Sequence, residues 1–167
     1  TYVSNATPRP TAPSITYNTE LTTTAGGVKV EAHHWGAGHT AGDTVVYFPR
    51  QKVVAGGDEV VEVTPNIDYP FGGSVTGWLK SLDAIAKLDF EYVIPGHGND
   101  PMTKAQFLDY AKKWHTFADR ARAAVKAGTP KDKLMAAIKT DDLGWNVTTG
   151  QWTPPARLDP FYAEMSK

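Results

Sequence analysis

The sequence predicts an α/β protein: one mixed β-sheet with helices packed on one of its faces. Three observations carry this. The first half of the chain alternates in short β-branched runs, the second half shifts to the three-and-four spacing of amphipathic helices, and one short apolar run lies between the helical segments. At 167 residues the chain is long enough for one domain with an ordinary core.

Taken in order, residues 1–14 (TYVSNATPRPTAPS) are rich in proline and lack apolar periodicity, so they are expected to be a linker or a cut end. Ile15 to Thr24 and Val28 to Trp35 read as strands joined at Gly26-Gly27, a hairpin signal. Thr44 to Phe48 and Lys52 to Ala55 form a second strand pair around Pro49-Arg50-Gln51. From Gly73 to Leu88, Val75, Trp78, Leu79, Leu82 and Ile85 recur on one helical face. Glu91 to Ile94 is a short strand ending at Pro95-Gly96. Thr103 and Gln106 have capping-box spacing and open a long helix to about Ala127. Thr129-Pro130 opens a further helix carrying Leu134, Met135 and Ile138, and Asp159-Pro160 a short terminal one. Residues 15–98 thus bear the sheet, and 99–167 form a helical tail.

Composition excludes several functions. The formal net charge is −1 and no long run of like charge occurs, so no nucleic-acid partner is expected. The apolar runs fall far short of the ~20 residues of a membrane span, so no membrane partner is expected and the chain reads as soluble. There is no cysteine, which removes disulfides, thiolate ligands and thiol nucleophiles and leaves cytoplasm, periplasm and secretion equally open.

Three glycine-lined segments carry the candidate chemistry: Gly38-His39-Thr40-Ala41-Gly42-Asp43, Gly56-Gly57-Asp58 and Pro95-Gly96-His97-Gly98. Each follows a predicted strand. Two imidazoles and a carboxylate on converging strand-end loops are donors that zinc accepts. One such segment alone is a common turn. The ordered triple, spaced by 19 and 39 positions, is far more specific.

On these residues the stretch GAGHTAGDTVVYFPRQKVVAGGD, followed by a helix and FEYVIPGHG, resembles the second half of the metallo-β-lactamase superfamily. The resemblance implies half of an αββα sandwich and a zinc-dependent hydrolase that uses metal-bound hydroxide when complete. It implies that His39 is the third ligand of a first zinc, Asp58 a bridge between two zinc ions, and His97 the last ligand of the second. Thr40 and Asp43 would hold the His39 loop or simply form its turn.

The family's H-x-H-x-D-H signature matches none of His33, His34, His39, His97 or His115. His33 and His34 are adjacent on a strand and point to opposite faces, and His115 on the long helix reads as structural. The signature is expected upstream of Thr1. Zinc binding by this chain alone is therefore expected to be weak or absent, and activity alone to be lacking. A partner is expected on the bare sheet face: the N-terminal half or a second copy, with a small-molecule substrate in the complete enzyme. A non-catalytic binding or assembly module on the same fold is the alternative. Residues 61–73 are expected to border the pocket, with Tyr69, Phe71 and Trp78 as an apolar wall or packed on their own helix. The helical tail would either cap the site or serve packing alone.

Overall fold

The computed structural model describes residues 15–167, so the expected linker at 1–14 lies outside the described residues. Six strands form one mixed sheet in sequential order: β1 (Glu20–Ala25), β2 (Val28–His33), β3 (Val45–Phe48), β4 (Val53–Val61), β5 (Tyr92–His97) and β6 (Met102–Thr103). Neighbours are antiparallel except β4 and β5, which run parallel. That parallel pair requires a crossover, and helix α1 (Val75–Ile85) supplies it. Helices α2 (Lys104–Lys126), α3 (Leu134–Ala137) and α4 (Pro155–Met165) follow. The α/β class and the mixed sheet agree with the sequence reading.

The register divides the sheet into two unlike faces. Tyr47, Val54, Val93 and Met102 form one row across β3 to β6, and all four are buried. The helices cover this side, where Trp78 of α1 and Phe107 and Trp114 of α2 are fully buried. Leu21, Ala32, Val46, Ala55 and Ile94 form the opposite row, directly paired across β1 to β5. None of these five is buried, and Ile94 is 46% exposed. The sheet therefore presents one packed apolar face and one apolar face that is only half-buried.

Local chemistry explains most element ends. Gly26 and Gly27 both take positive φ (56° and 80°), as a two-residue hairpin whose twist matches its strands requires. The Thr103 hydroxyl accepts the Gln106 amide while the Gln106 side chain accepts the Thr103 amide, completing the expected capping box.

Four expectations need correction. β4 does not stop at Ala55 but continues through a bulge to Val61, because Gly57 (φ 54°) absorbs the register shift. β5 likewise includes Pro95-Gly96-His97, since proline lies at the irregular part of its pairing. The segment after Pro130 is a 3₁₀ turn plus the four-residue α3. Helix α4 begins at Pro155, in the first-turn position where proline's missing amide costs nothing, and Pro160 lies inside it.

Candidate metal centre

His39, Asp58 and His97 come from three separated segments and line one open pocket of about 370 Å³. The Asp58 carboxylate lies between the two imidazoles: Oδ2 is 3.5 Å from His39 Nε2 and Oδ1 is 3.2 Å from His97 Nε2. Asp58 sits inside β4, on the bulge, and not in a loop after the strand. The bulge is what turns its side chain toward the pocket while Glu59 points into the core. His97 closes β5 on the neighbouring strand. A Cβ on Gly96 would stand 2.5 Å from both Asp58 Oδ1 and the Gly57 carbonyl carbon, so glycine there is what permits the approach.

His39 is held from several sides. Its Nδ1 is 2.6 Å from the Asn66 carbonyl, which as an acceptor requires a proton on Nδ1, so that in the neutral ring the lone pair is on Nε2. The ring meets Trp78 edge-on at 6.2 Å. The loop below is gathered by Asp43, whose carboxylate accepts the Gly38 and Thr40 amides (both 3.1 Å) and the Thr40 hydroxyl (2.7 Å). Asp43 and Thr40 thus hold the His39 loop and form its turn at once.

Beneath the loop lies Glu59, 1% exposed, its Oε2 without a hydrogen-bond partner. Burial pushes its carboxyl up to about 9; Ser81 opposes this by hydrogen bonding, and the nearby Asp43 carboxylate adds to it. Glu59 is therefore a neutral carboxylic acid at ordinary pH. Its backbone carbonyl accepts the Trp78 indole (2.8 Å) and the Tyr110 hydroxyl (3.2 Å), tying β4 to α1 and α2.

The rest of the pocket is Val61, Val63, Thr64, Asn66 and Gln151. The 61–73 segment does border it, but Tyr69, Phe71 and Trp78 form no wall there. Trp78 is fully buried under the sheet, Tyr69 donates to Glu164, and Phe71 is 70% exposed. Gln151 brings the helical tail to the pocket edge. Asn66 and Gln151 escape the sequence reading because a backbone carbonyl acceptor and a distant glutamine have no motif. His33 stacks on Trp35 (4.6 Å), His34 Nδ1 meets the Asp43 carbonyl (2.7 Å) and His115 pairs with Asp83 (2.8 Å), all three away from the pocket.

The donor types suit zinc, and His39 presents the correct nitrogen. Among the described residues no group of three or more His, Cys, Asp and Glu side chains is arranged to hold a metal ion as it stands.

Comparison with known proteins agrees with this fold. A family model for the metallo-β-lactamase superfamily matches residues 5–97, more than half of the chain. The type 2 metallo-β-lactamase of Bacteroides fragilis is 31% identical over 90 residues, covering 50% of this chain and 34% of that protein. The chain thus spans about a third of the length of such curated relatives. A metallo-β-lactamase from Pontibacter korlensis superposes with a TM-score of 0.53 at 25% identity, covering 63% of this chain and 50% of that one. A metallo-β-lactamase family protein from Thermus thermophilus has a TM-score of 0.60 at 18% identity, covering 93% and 48%, which speaks to the fold alone. With the three motif segments inside the matched region or closing it, and the sheet and helices superposing on solved relatives, the chain belongs to the metallo-β-lactamase superfamily.

Proposed function

We propose that this chain contributes His39, Asp58 and His97 to the zinc site of a metallo-β-lactamase-fold hydrolase, and that the site works only when another polypeptide segment completes it. The supporting observation is the placement of the Asp58 carboxylate between two imidazole Nε2 atoms, at 3.5 and 3.2 Å, in one pocket. His39 and His97 would each give a neutral nitrogen, and Asp58 one oxygen toward each side. Bound zinc lowers the pKa of a coordinated water so that hydroxide exists near neutral pH. The chain's own residues have the remaining tasks: Asn66 fixes the His39 tautomer, Asp43 holds the loop, and Gly96 sets the distance between the strands.

Three protein donors, two of them exposed by 40% and 65% at the side chain, leave open positions, so affinity in the isolated chain is low. The half-buried row of Leu21, Ala32, Val46, Ala55 and Ile94 is the surface a second sheet would cover in a sandwich. Either the N-terminal half as a separate chain or a second copy of this chain would fill it.

Isothermal titration with zinc, using the wild type and the His39→Ala and His97→Ala variants, tests this reading. Weak binding that both substitutions abolish supports it. Tight one-to-one binding, or hydrolysis by the chain without a partner, contradicts it. A non-catalytic module would bind no zinc even when a completing segment is supplied.

A further inference from the structure

Resting on that reading of His39 as a ligand, we infer that Trp152 and Arg157 of the helical tail are positioning residues, which set the His39 tautomer by bracing the loop that carries the Asn66 carbonyl. His39 and the 64–68 loop are joined twice. The ring nitrogen Nδ1 donates to the Asn66 carbonyl (2.6 Å), and the Asp68 amide donates to the His39 carbonyl (2.8 Å). The loop itself is then gripped on both sides of Asn66 by the tail. The Trp152 indole donates to the Pro65 carbonyl (2.8 Å), the Asn146 amide to the Thr64 hydroxyl (3.1 Å), and the Arg157 guanidinium to the Asp68 carboxylate (3.1 Å).

These braces are themselves anchored. Trp152 is 4% exposed and meets Phe117 of α2 at 5.2 Å and Phe161 of α4 at 5.4 Å, so its indole N–H is aimed at Pro65 by the aromatic core. Arg157 stands in the first turn of α4, and its ion pair with Asp68 is only about a fifth exposed at either side chain. A free imidazole prefers its proton on Nε2. Holding it on Nδ1 needs an acceptor kept in place, and a carbonyl in an unbraced loop would not stay there. The tail thus does more than pack: it holds the carbonyl that selects the Nδ1–H tautomer of the neutral His39 ring.

The test uses the metal-free ¹⁵N-labelled chain at mildly alkaline pH, where long-range ¹H–¹⁵N spectra report each histidine's tautomer. Wild-type His39 is expected as the Nδ1–H form with a slowly exchanging ring proton. Trp152→Phe keeps the aromatic volume and removes the donor; it should shift His39 toward a mixture of tautomers with fast exchange. Arg157→Gln should do the same to a lesser degree, and serves if the tryptophan variant does not fold. Phe107→Leu, in the core beneath β5, should lower the melting temperature without changing the His39 signal. Zinc affinity should fall by about tenfold in Trp152→Phe, as for other partners of a ligand histidine. An unchanged His39 signal in both tail variants, or an equal change in Phe107→Leu, overturns the inference. Failure of wild-type zinc binding alone would instead strike the ligand assignment, because the tautomer is read without metal.

Discussion

Removing Glu164 should loosen the candidate site from more than a helix length away along the chain. The α1 helix has three amides with no partner within the helix before Trp78 makes the first bond to the Ser74 carbonyl. The Ser74 hydroxyl accepts from Gly77 at 2.9 Å. The other two are satisfied from α4: Glu164 Oε2 accepts Val75 N at 3.1 Å and Oε1 accepts Thr76 N at 2.7 Å. The same carboxylate takes the Tyr69 hydroxyl at 2.6 Å. Hydrogen bonds to a charged group contribute about 1.5 kcal/mol each, and an orphaned tyrosine hydroxyl costs about 1 kcal/mol more. Water can reach the half-buried Glu164, so Glu164→Ala should destabilise by about 2–3 kcal/mol; Glu164→Gln keeps one acceptor oxygen but sets an amide NH2 against a backbone N–H, so it should lose about 1–2 kcal/mol. Urea unfolding followed by tryptophan fluorescence measures both. Because Ser74 also bonds to Ala37 and Gly38, the His39 ring signal should broaden in Glu164→Ala. A loss below about 1 kcal/mol in Glu164→Ala would refute the assignment of Glu164 as the acceptor of the first α1 amides.

Glu59→Gln should stabilise the fold at neutral pH. An unfolded glutamate titrates near 4.3, against about 9 in the fold, so wild-type stability is full below the unfolded value and falls by about 1.4 kcal/mol per pH unit until the folded value is passed. The neutral amide removes that slope and gains up to about 4 kcal/mol at pH 7; parallel pH profiles of the two proteins would disprove it. Gly96→Ala should force β5 off the β4 bulge and abolish the zinc response of the wild type, with a stability loss of about 1–3 kcal/mol as for other overpacked sites, and retained zinc binding would show the contact to be unimportant. Val46→Lys and Ile94→Lys, on the half-buried outer row, should reduce self-association of the isolated chain in sedimentation velocity while leaving its circular dichroism unchanged. A wild type that sediments as a monomer at every concentration would exclude the second-copy occupant.

Much of this architecture is legible in the sequence because local rules and tertiary packing agree. Gly26-Gly27, the Thr103–Gln106 box and the helical spacing of Trp78, Leu82 and Ile85 each specify their element without help from distant residues. The three candidate ligands are legible for a related reason, since each carries its glycines beside it. What escapes is non-local. Nothing near Gly56-Gly57 says that the strand resumes after the bulge; the parallel pairing with β5 decides that. Pro160 reads as a helix start, yet the helix begins at Pro155 and accommodates it, because Phe161 and Met165 gain burial. Tyr69 reads as either a pocket wall or a residue packed on its own helix, and neither reading foresees that its hydroxyl donates to Glu164, 95 residues away. Asn66 acts through its backbone, which no side-chain pattern encodes.

The most direct measurement is a zinc titration of the 167-residue chain, alone and then with a segment bearing the H-x-H-x-D-H signature supplied as a separate polypeptide. For the chain alone the account predicts binding no tighter than micromolar that disappears in His39→Ala, Asp58→Asn and His97→Ala, and a large gain in affinity when the second segment is added. Tight binding by the chain alone, or binding indifferent to those three substitutions, would contradict the claim that His39, Asp58 and His97 are one part of a shared site.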